Sequence, residues 1–141
     1  MTRIVGGRAE ALRAAMAGAV ICPQDPGYDE ARAVWNADID RRPSLIARCG
    51  SAADVAVAVG CAQAEGLEVA VRGGGHSMSG QSVVDGGLVV DLGGLRRVAV
   101  DAPARRARVG GGACWRTSMR RPRRTVWPCR AEWSRTPGSV G

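Results

Sequence analysis

Short apolar runs separated by glycines and charges set the frame of this chain. Leu45 to Cys49, Leu67 to Arg72, Leu88 to Leu92, Arg97 to Asp101 and Arg106 to Val109 have the length and the Val, Ile and Leu content of strands. Between the first two, Ala52, Val55, Val59 and Ala62 recur at helical spacing behind Ser51 and ahead of Gly66. That pattern predicts a helix with Ser51 as its N-cap, ended by Gly66. The resulting β-α-β unit should be parallel with a right-handed crossover, which puts Gly73–Ser77 at the carboxyl end of its second strand, where α/β ligand sites commonly lie. Pro103 predicts a turn between the last two strands. Toward the N-terminus, Leu12 to Ile21 predicts a helix capped by Gly18, followed by a loop through Pro23 and Pro26. Together these elements predict an α+β fold.

The chemistry concentrates in Val71-Arg72-Gly73-Gly74-Gly75-His76-Ser77-Met78-Ser79-Gly80, which holds the only histidine. Glycines carry no Cβ, so consecutive backbone N–H groups can turn inward around a phosphate. A Walker A loop is excluded, because it needs a lysine and every basic residue here is arginine. A dinucleotide fingerprint is excluded as well: Met78 stands where its third glycine belongs, and the loop runs on into Val83–Asp91, which reads as strand and turn. Two roles are open to His76 on its own, a ligand contact or a loop histidine satisfied by local hydrogen bonds.

At 141 residues the chain is one domain with a modest core. Five cysteines without a C-x-x-C pair favour neither a disulfide framework nor a zinc site, so no metal and a reduced, cytoplasmic setting are expected. Arg13 interrupts the one stretch resembling a signal peptide, and no run approaches the ~20 apolar residues of a membrane span. The net charge of +7 would ordinarily point to nucleic acid. Its distribution argues otherwise: residues 1–115 carry 13 Arg against 12 acids, whereas residues 116–141 carry 7 Arg against Glu132 alone.

Tyr28 to Asn36, Arg42-Pro43, Ile46 to Cys49, the helix, the Arg72–Ser77 loop, Asp85 to Leu92 and Val109 to Trp115 follow one another in an order that resembles the first FAD-binding subdomain of berberine-bridge-enzyme-like flavoproteins, of the vanillyl-alcohol-oxidase type with a PCMH-type FAD-binding domain. The resemblance implies a lead-in over residues 1–42 and a partial FAD-binding domain over 43–115. It implies FAD as cofactor, with His76 bonded to the 8α carbon of the isoalloxazine and Arg72, Gly73, Gly74, Gly75 and Ser77 around the pyrophosphate and flavin. A neutral imidazole is nucleophilic enough near pH 7 for such a bond. The implied activity is hydride transfer from a small organic substrate to the flavin, with O2 as acceptor. Substrate and general-base residues of the family lie in a later domain, so no catalytic acid or base is named; substrate and oligomeric state stay open. Trp35 and Asn36 resemble a family pair that core packing and a turn explain equally well. Gly110–Gly112 allow either a close backbone approach to flavin or a simple strand end, and Cys22, Cys49, Cys61 and Cys114 read as small buried apolar residues.

The resemblance stops at Trp115. Residues 116–141 lack periodicity and are rich in Arg and Pro, the composition of a disordered tail. They also have the composition of GC-rich DNA read out of frame. With permitted codons and a start at the third base of codon 116, the tail reads D-V-D-A-A-T-Q-A-H-G-L-A-V-P-G-G-V-V-S-H-T-G-V-G-G, which resembles the family's continuation. A frameshift near codon 116 is therefore the expectation, and the 141-residue chain is expected to be inactive by itself. Cys129 belongs to this stretch and is not equated with a second flavin-linking cysteine. The competing reading is a small basic module that binds an anion or nucleic acid, with Trp127 and Trp133 stacking on bases.

Overall fold

A computed structural model describes residues 2–114. The elements run α1 (Thr2–Ala15), β1 (Ala19–Ile21), α2 (Tyr28–Arg32), β2 (Leu45–Arg48), α3 (Ala52–Ala64), β3 (Val69–Arg72), β4 (Leu88–Asp91), β5 (Val98–Asp101) and β6 (Arg106–Val109). The expectations for residues 116–141, disorder and a shifted frame, lie outside the described residues. The fold is mixed, with strands and helices interleaved, as the apolar runs predicted. All five predicted strands are present, and Pro103 lies in the β5–β6 turn.

The four-stranded sheet has the order β1-β2-β4-β3. β4 pairs parallel with β2 on one side and with β3 on the other, while β1 joins β2 antiparallel. The β2-α3-β3 unit is thus parallel as expected, but its strands are not neighbours, because β4 inserts between them. Leu45, Ile46 and Ala47 of β2 and Leu88, Val89 and Val90 of β4 are fully buried, which explains why these runs are continuously apolar: both sheet faces are covered. On one face Leu45, Ala47, Leu88 and Val90 meet Ala9, Leu12 and Met16 of the N-terminal segment and Ala58 and Ala62 of α3. On the other, Ile46, Val89 and Ala70 meet Tyr28, Ala31, Val83 and Val84. Residues ahead of position 43 therefore share the core of those behind it. β5 and β6 form a separate antiparallel hairpin.

Two sequence expectations are corrected. The N-terminal helix ends at Ala15, and Gly18 is not its cap: Gly18 has no left-handed φ, and residues 19–21 form β1. Glycine is required there for a tertiary reason, since a Cβ would sit 2.0 Å from the carbonyl oxygen of Arg48 on the neighbouring strand. The buried face of α3 is also rotated from the predicted one. Asp54, Ala58 and Ala62 are buried, whereas Ala52 is exposed and Val55 and Val59 are half-buried.

The cause of that rotation is Asp54. Its carboxylate accepts hydrogen bonds from the backbone N–H groups of Ala17 (2.9 Å), Gly50 (2.9 Å) and Ser51 (3.1 Å), while Ser51 Oγ accepts from Asp54 N. This capping box does more than start α3. It ties α1's exit to the β2–α3 turn and draws position 54 into the core. At the other end Gly66, with φ 61°, closes the helix as predicted, with Leu67 N–H donating to Ala62 O and Gly66 N–H to Gln63 O.

The same bonds, led by that from Ala17, hold the Asp54 carboxyl below the ordinary carboxylate range. A depressed native pKa stabilises the fold above the unfolded value, and that contribution disappears as pH falls through the native one. Asp54→Asn should thus lower the melting temperature by a few degrees at pH 7, with the gap to the parent chain narrowing toward pH 3. Thermal melts at both pH values check this, and an equal gap at each would show that the charge is not what matters.

Candidate cofactor-binding cleft

β2, β4 and β3 end in register. Arg48 lies opposite Asp91, and Asp91 lies opposite Arg72, so one carboxylate stands between two guanidinium groups at the carboxyl edge of the sheet. Arg72 donates to Asp91 Oδ2 at 2.8 Å and to the Ala33 carbonyl at 3.5 Å, and is buried. Arg48 approaches the same oxygen only to 4.0 Å and keeps about half of its side chain exposed (51%). Asp91 Oδ1 accepts from Gly93 N, which fixes the turn after β4. From that turn Arg96 donates its Nε to the Gly93 carbonyl at 2.7 Å.

These groups floor a cleft of about 460 Å³, whose lining includes Arg48, Arg72, Arg96, Asp91 and Glu30, together with Trp35 and glycines of both loops. Three guanidinium groups face two carboxylates there, an excess of one positive charge. The two glycine loops abut: a Cβ on Gly73 would meet the Gly111 carbonyl oxygen at 2.5 Å. Gly75 adopts φ 72°, the left-handed region that disfavours side chains. Gly110 and Gly112 pack against the Leu95 and Leu92 carbonyls, so close backbone approach within the protein, beyond a simple strand end, accounts for this run.

The segment after α2 straps the loop that carries His76. Trp35 N–H donates to the Gly75 carbonyl (3.0 Å), Asn36 Nδ2 to the Met78 carbonyl (3.1 Å), and Arg41 to the carbonyls of Gly80 and Val83. The strap is itself anchored by Tyr28, whose hydroxyl donates to the Pro43 carbonyl at 2.7 Å, and by Arg32, paired with Asp29 and Asp40. Of the six residues singled out from the sequence, Arg72, Gly73, Gly74 and Gly75 line the cleft. His76 stands outside that lining, exposed, with its ring centroid 6.4 Å from that of Trp35. Ser77 is half-buried and accepts a hydrogen bond from Gln81 N–H.

Trp35 is 64% exposed, which removes the core-packing explanation. Among the cysteines, Cys22 and Cys49 are buried as expected, but Cys61 is only half-buried and Cys114 is exposed at the cleft, because the Gly110–Ala113 turn carries it out of the core. Burial pushes the Cys49 thiol up to about 11, so it is not a nucleophile near neutrality. Arg48, Asp91 and Arg96 escaped the sequence reading. The first two were signalled by three apolar runs, Leu45–Arg48, Val69–Arg72 and Leu88–Asp91, each closing on a charge; Arg96 carries no such signal.

Residues 43–124 match the family described as FAD binding domain, more than half of the chain. The chain belongs to that family. The match extends to residue 124, past Trp115, where the resemblance was expected to end. The chain is 47% identical over 95 residues to (R)-6-hydroxynicotine oxidase of Paenarthrobacter nicotinovorans, covering 67% of the chain and 21% of the relative. It superimposes on the crystal structure of 6-hydroxy-D-nicotine oxidase from Arthrobacter nicotinovorans with a TM-score of 0.66 at 46% identity, over 70% of the chain and 22% of that structure. On the BBE-like 1 protein of Physcomitrella patens the TM-score is 0.68 at 32% identity, over 74% and 23%. The chain thus spans about a fifth of the length of these relatives, and its fold is that of part of a berberine-bridge-type, FAD-linked oxidoreductase. No helix among the described residues is long and apolar enough to cross a membrane.

Proposed function

We propose that residues 43–115 form one wall of the FAD site of an oxidoreductase that takes hydride from a small organic substrate and passes the electrons to O2. Residues 1–42 complete that wall's core; a change of frame near codon 116 is our reading of residues 116–141, and the family match through residue 124 counts against it. The observation that carries this reading is the cleft at the carboxyl edge of the sheet, where an excess guanidinium charge lies beside two interlocked glycine loops. The residues present fit a diphosphate. Arg72 is committed to Asp91, so its role is to hold the Gly73–Gly75 backbone in place beside the anion, while Arg48 and the terminal nitrogens of Arg96 supply charge. The volume, near the lower end of the ~300–1,000 Å³ range of small-molecule pockets, accommodates part of FAD rather than all of it.

FAD, when bound, supplies the hydride acceptor; the protein binds and orients it. His76 is the proposed covalent anchor, placed at the rim by the strap and reachable from solvent. Joining an imidazole nitrogen to the flavin 8α carbon replaces one N–H and one C–H bond by one N–C bond. The two electrons and two protons released leave with O2 as H2O2. Ser77 belongs to the same shell.

ADP is the direct probe of the anion site. Calorimetric titration of the chain with ADP should show binding that weakens steeply with salt, and Arg48→Ala or Arg96→Ala should each weaken it about tenfold, the loss of one charge-assisted hydrogen bond. Binding insensitive to salt and to both substitutions would overturn the placement of the diphosphate. The basic-module reading predicts instead a salt-dependent complex with single-stranded DNA that deletion of residues 116–141 abolishes.

A further inference from the structure

Trp35 is the one large aromatic residue in the described fold whose main chain is tied in place while its side chain is left bare. Its main chain is bonded to the Gly75 carbonyl and the next side chain to the Met78 carbonyl, so the backbone position of the indole relative to the His76 loop is fixed at two points. Nonetheless 64% of the residue is exposed, and it lines the cleft beside Gly73–Gly75. The pairing with His76 does not account for this. At 6.4 Å between centroids and 49° between planes the two rings form a tilted pair, and such a pair covers only part of an indole. Indole surface is costly to leave in water, and an indole carried on a fixed main chain at the mouth of a charged cleft is an arrangement suited to stacking a flat ligand ring. Arg48 and Arg96 would hold the phosphates of the same ligand, and His76 would mark its covalent end.

We propose that Trp35 stacks against the fused ring system of the flavin and positions it for His76. This rests on the FAD-site reading above and adds a residue to it. Trp35 is a positioning residue in this scheme: it donates no proton and forms no bond. Its effect therefore falls on ligands that carry the tricyclic ring and spares those that carry only the phosphates.

That difference supplies the test. The 141-residue chain, Trp35→Ala and Trp35→Phe are titrated calorimetrically with FAD and, separately, with ADP. Trp35→Ala should weaken FAD about tenfold, Trp35→Phe should restore most of that loss, and ADP affinity should be the same in all three proteins, which also shows that the variants are folded. Equal FAD affinity in all three, with ADP still bound, would overturn the role of Trp35 and leave the FAD site standing. Equal weakening of FAD and ADP by Trp35→Ala would mean that the indole only supports the loop, and overturns the proposal too. Failure of the parent chain to bind either ligand would overturn both readings.

Discussion

Replacing His76 by alanine in flavin-loaded protein should leave no flavin on the polypeptide after denaturation in acid, whereas the unsubstituted protein should carry its yellow fluorescence through the same treatment. The expected loss is complete, because the chain contains a single histidine, so no other imidazole in it can take over the bond. It should also be a clean loss. His76 is exposed and outside the cleft lining, and a substitution at such a position typically changes stability by no more than ~0.5 kcal/mol. ADP affinity should consequently be unchanged. The decisive measurement is fluorescence of the denatured band in a gel: flavin that stays with the variant, or flavin that leaves the parent protein, removes His76 from the anchor role.

What could be read from the sequence divides along the range of the interactions involved. Strands β2 and β4 were legible because burial on both sheet faces turns a short segment into an unbroken apolar run, and β3 because its valines mark a strand even though one of its faces is exposed. The start and stop of α3 were legible because Ser51 and Gly66 act within a few residues of themselves. Gly18 was misread for the converse reason. It follows a helix-like pattern as a cap would, yet what demands glycine is the Arg48 carbonyl thirty positions away. The insertion of β4 between β2 and β3 left no local trace, since parallel order depends on which edges meet and not on what any strand contains.

The site shows the same division. The glycines and His76 could be found from composition alone, and their family resemblance is matched by the family to which the chain belongs. The Arg48–Asp91–Arg72 row could not be assembled without strand register, because those residues are 24 and 19 positions from one another in order of strand position Arg48, Arg72, Asp91. Helix α2, five residues long, has too short an apolar period to be seen, although its Tyr28 anchors the strap that positions Trp35. Exposure of Trp35 was equally invisible: an aromatic among Ala and Val reads as core until the fold shows both sides of it.

No oxidase turnover is expected from the 141-residue chain, nor from residues 1–115, when FAD and candidate alcohols, amines or sugars are supplied and peroxide is measured. Among the described residues the cleft has one wall, and a flavin held by it alone would be open to water on its other side, without most of the apolar enclosure that small-molecule sites use. Hydride transfer also needs its donor carbon held within a few ångströms of the acceptor, and restoring that orientation from free solution can cost ~7–11 kcal/mol of barrier, enough to remove turnover entirely. Among the described residues the sheet also has an uncovered edge. β3 is an edge strand, and its Val69 and Val71, on the face that α3 packs against elsewhere, are 38% and 56% exposed. Such an edge invites pairing with another chain, so the protein should also aggregate as its concentration rises, seen as growth in light scattering at unchanged temperature. Peroxide formation above that of free FAD by either chain would show that one wall suffices, and the proposal of a site completed by further sequence would then have to be abandoned.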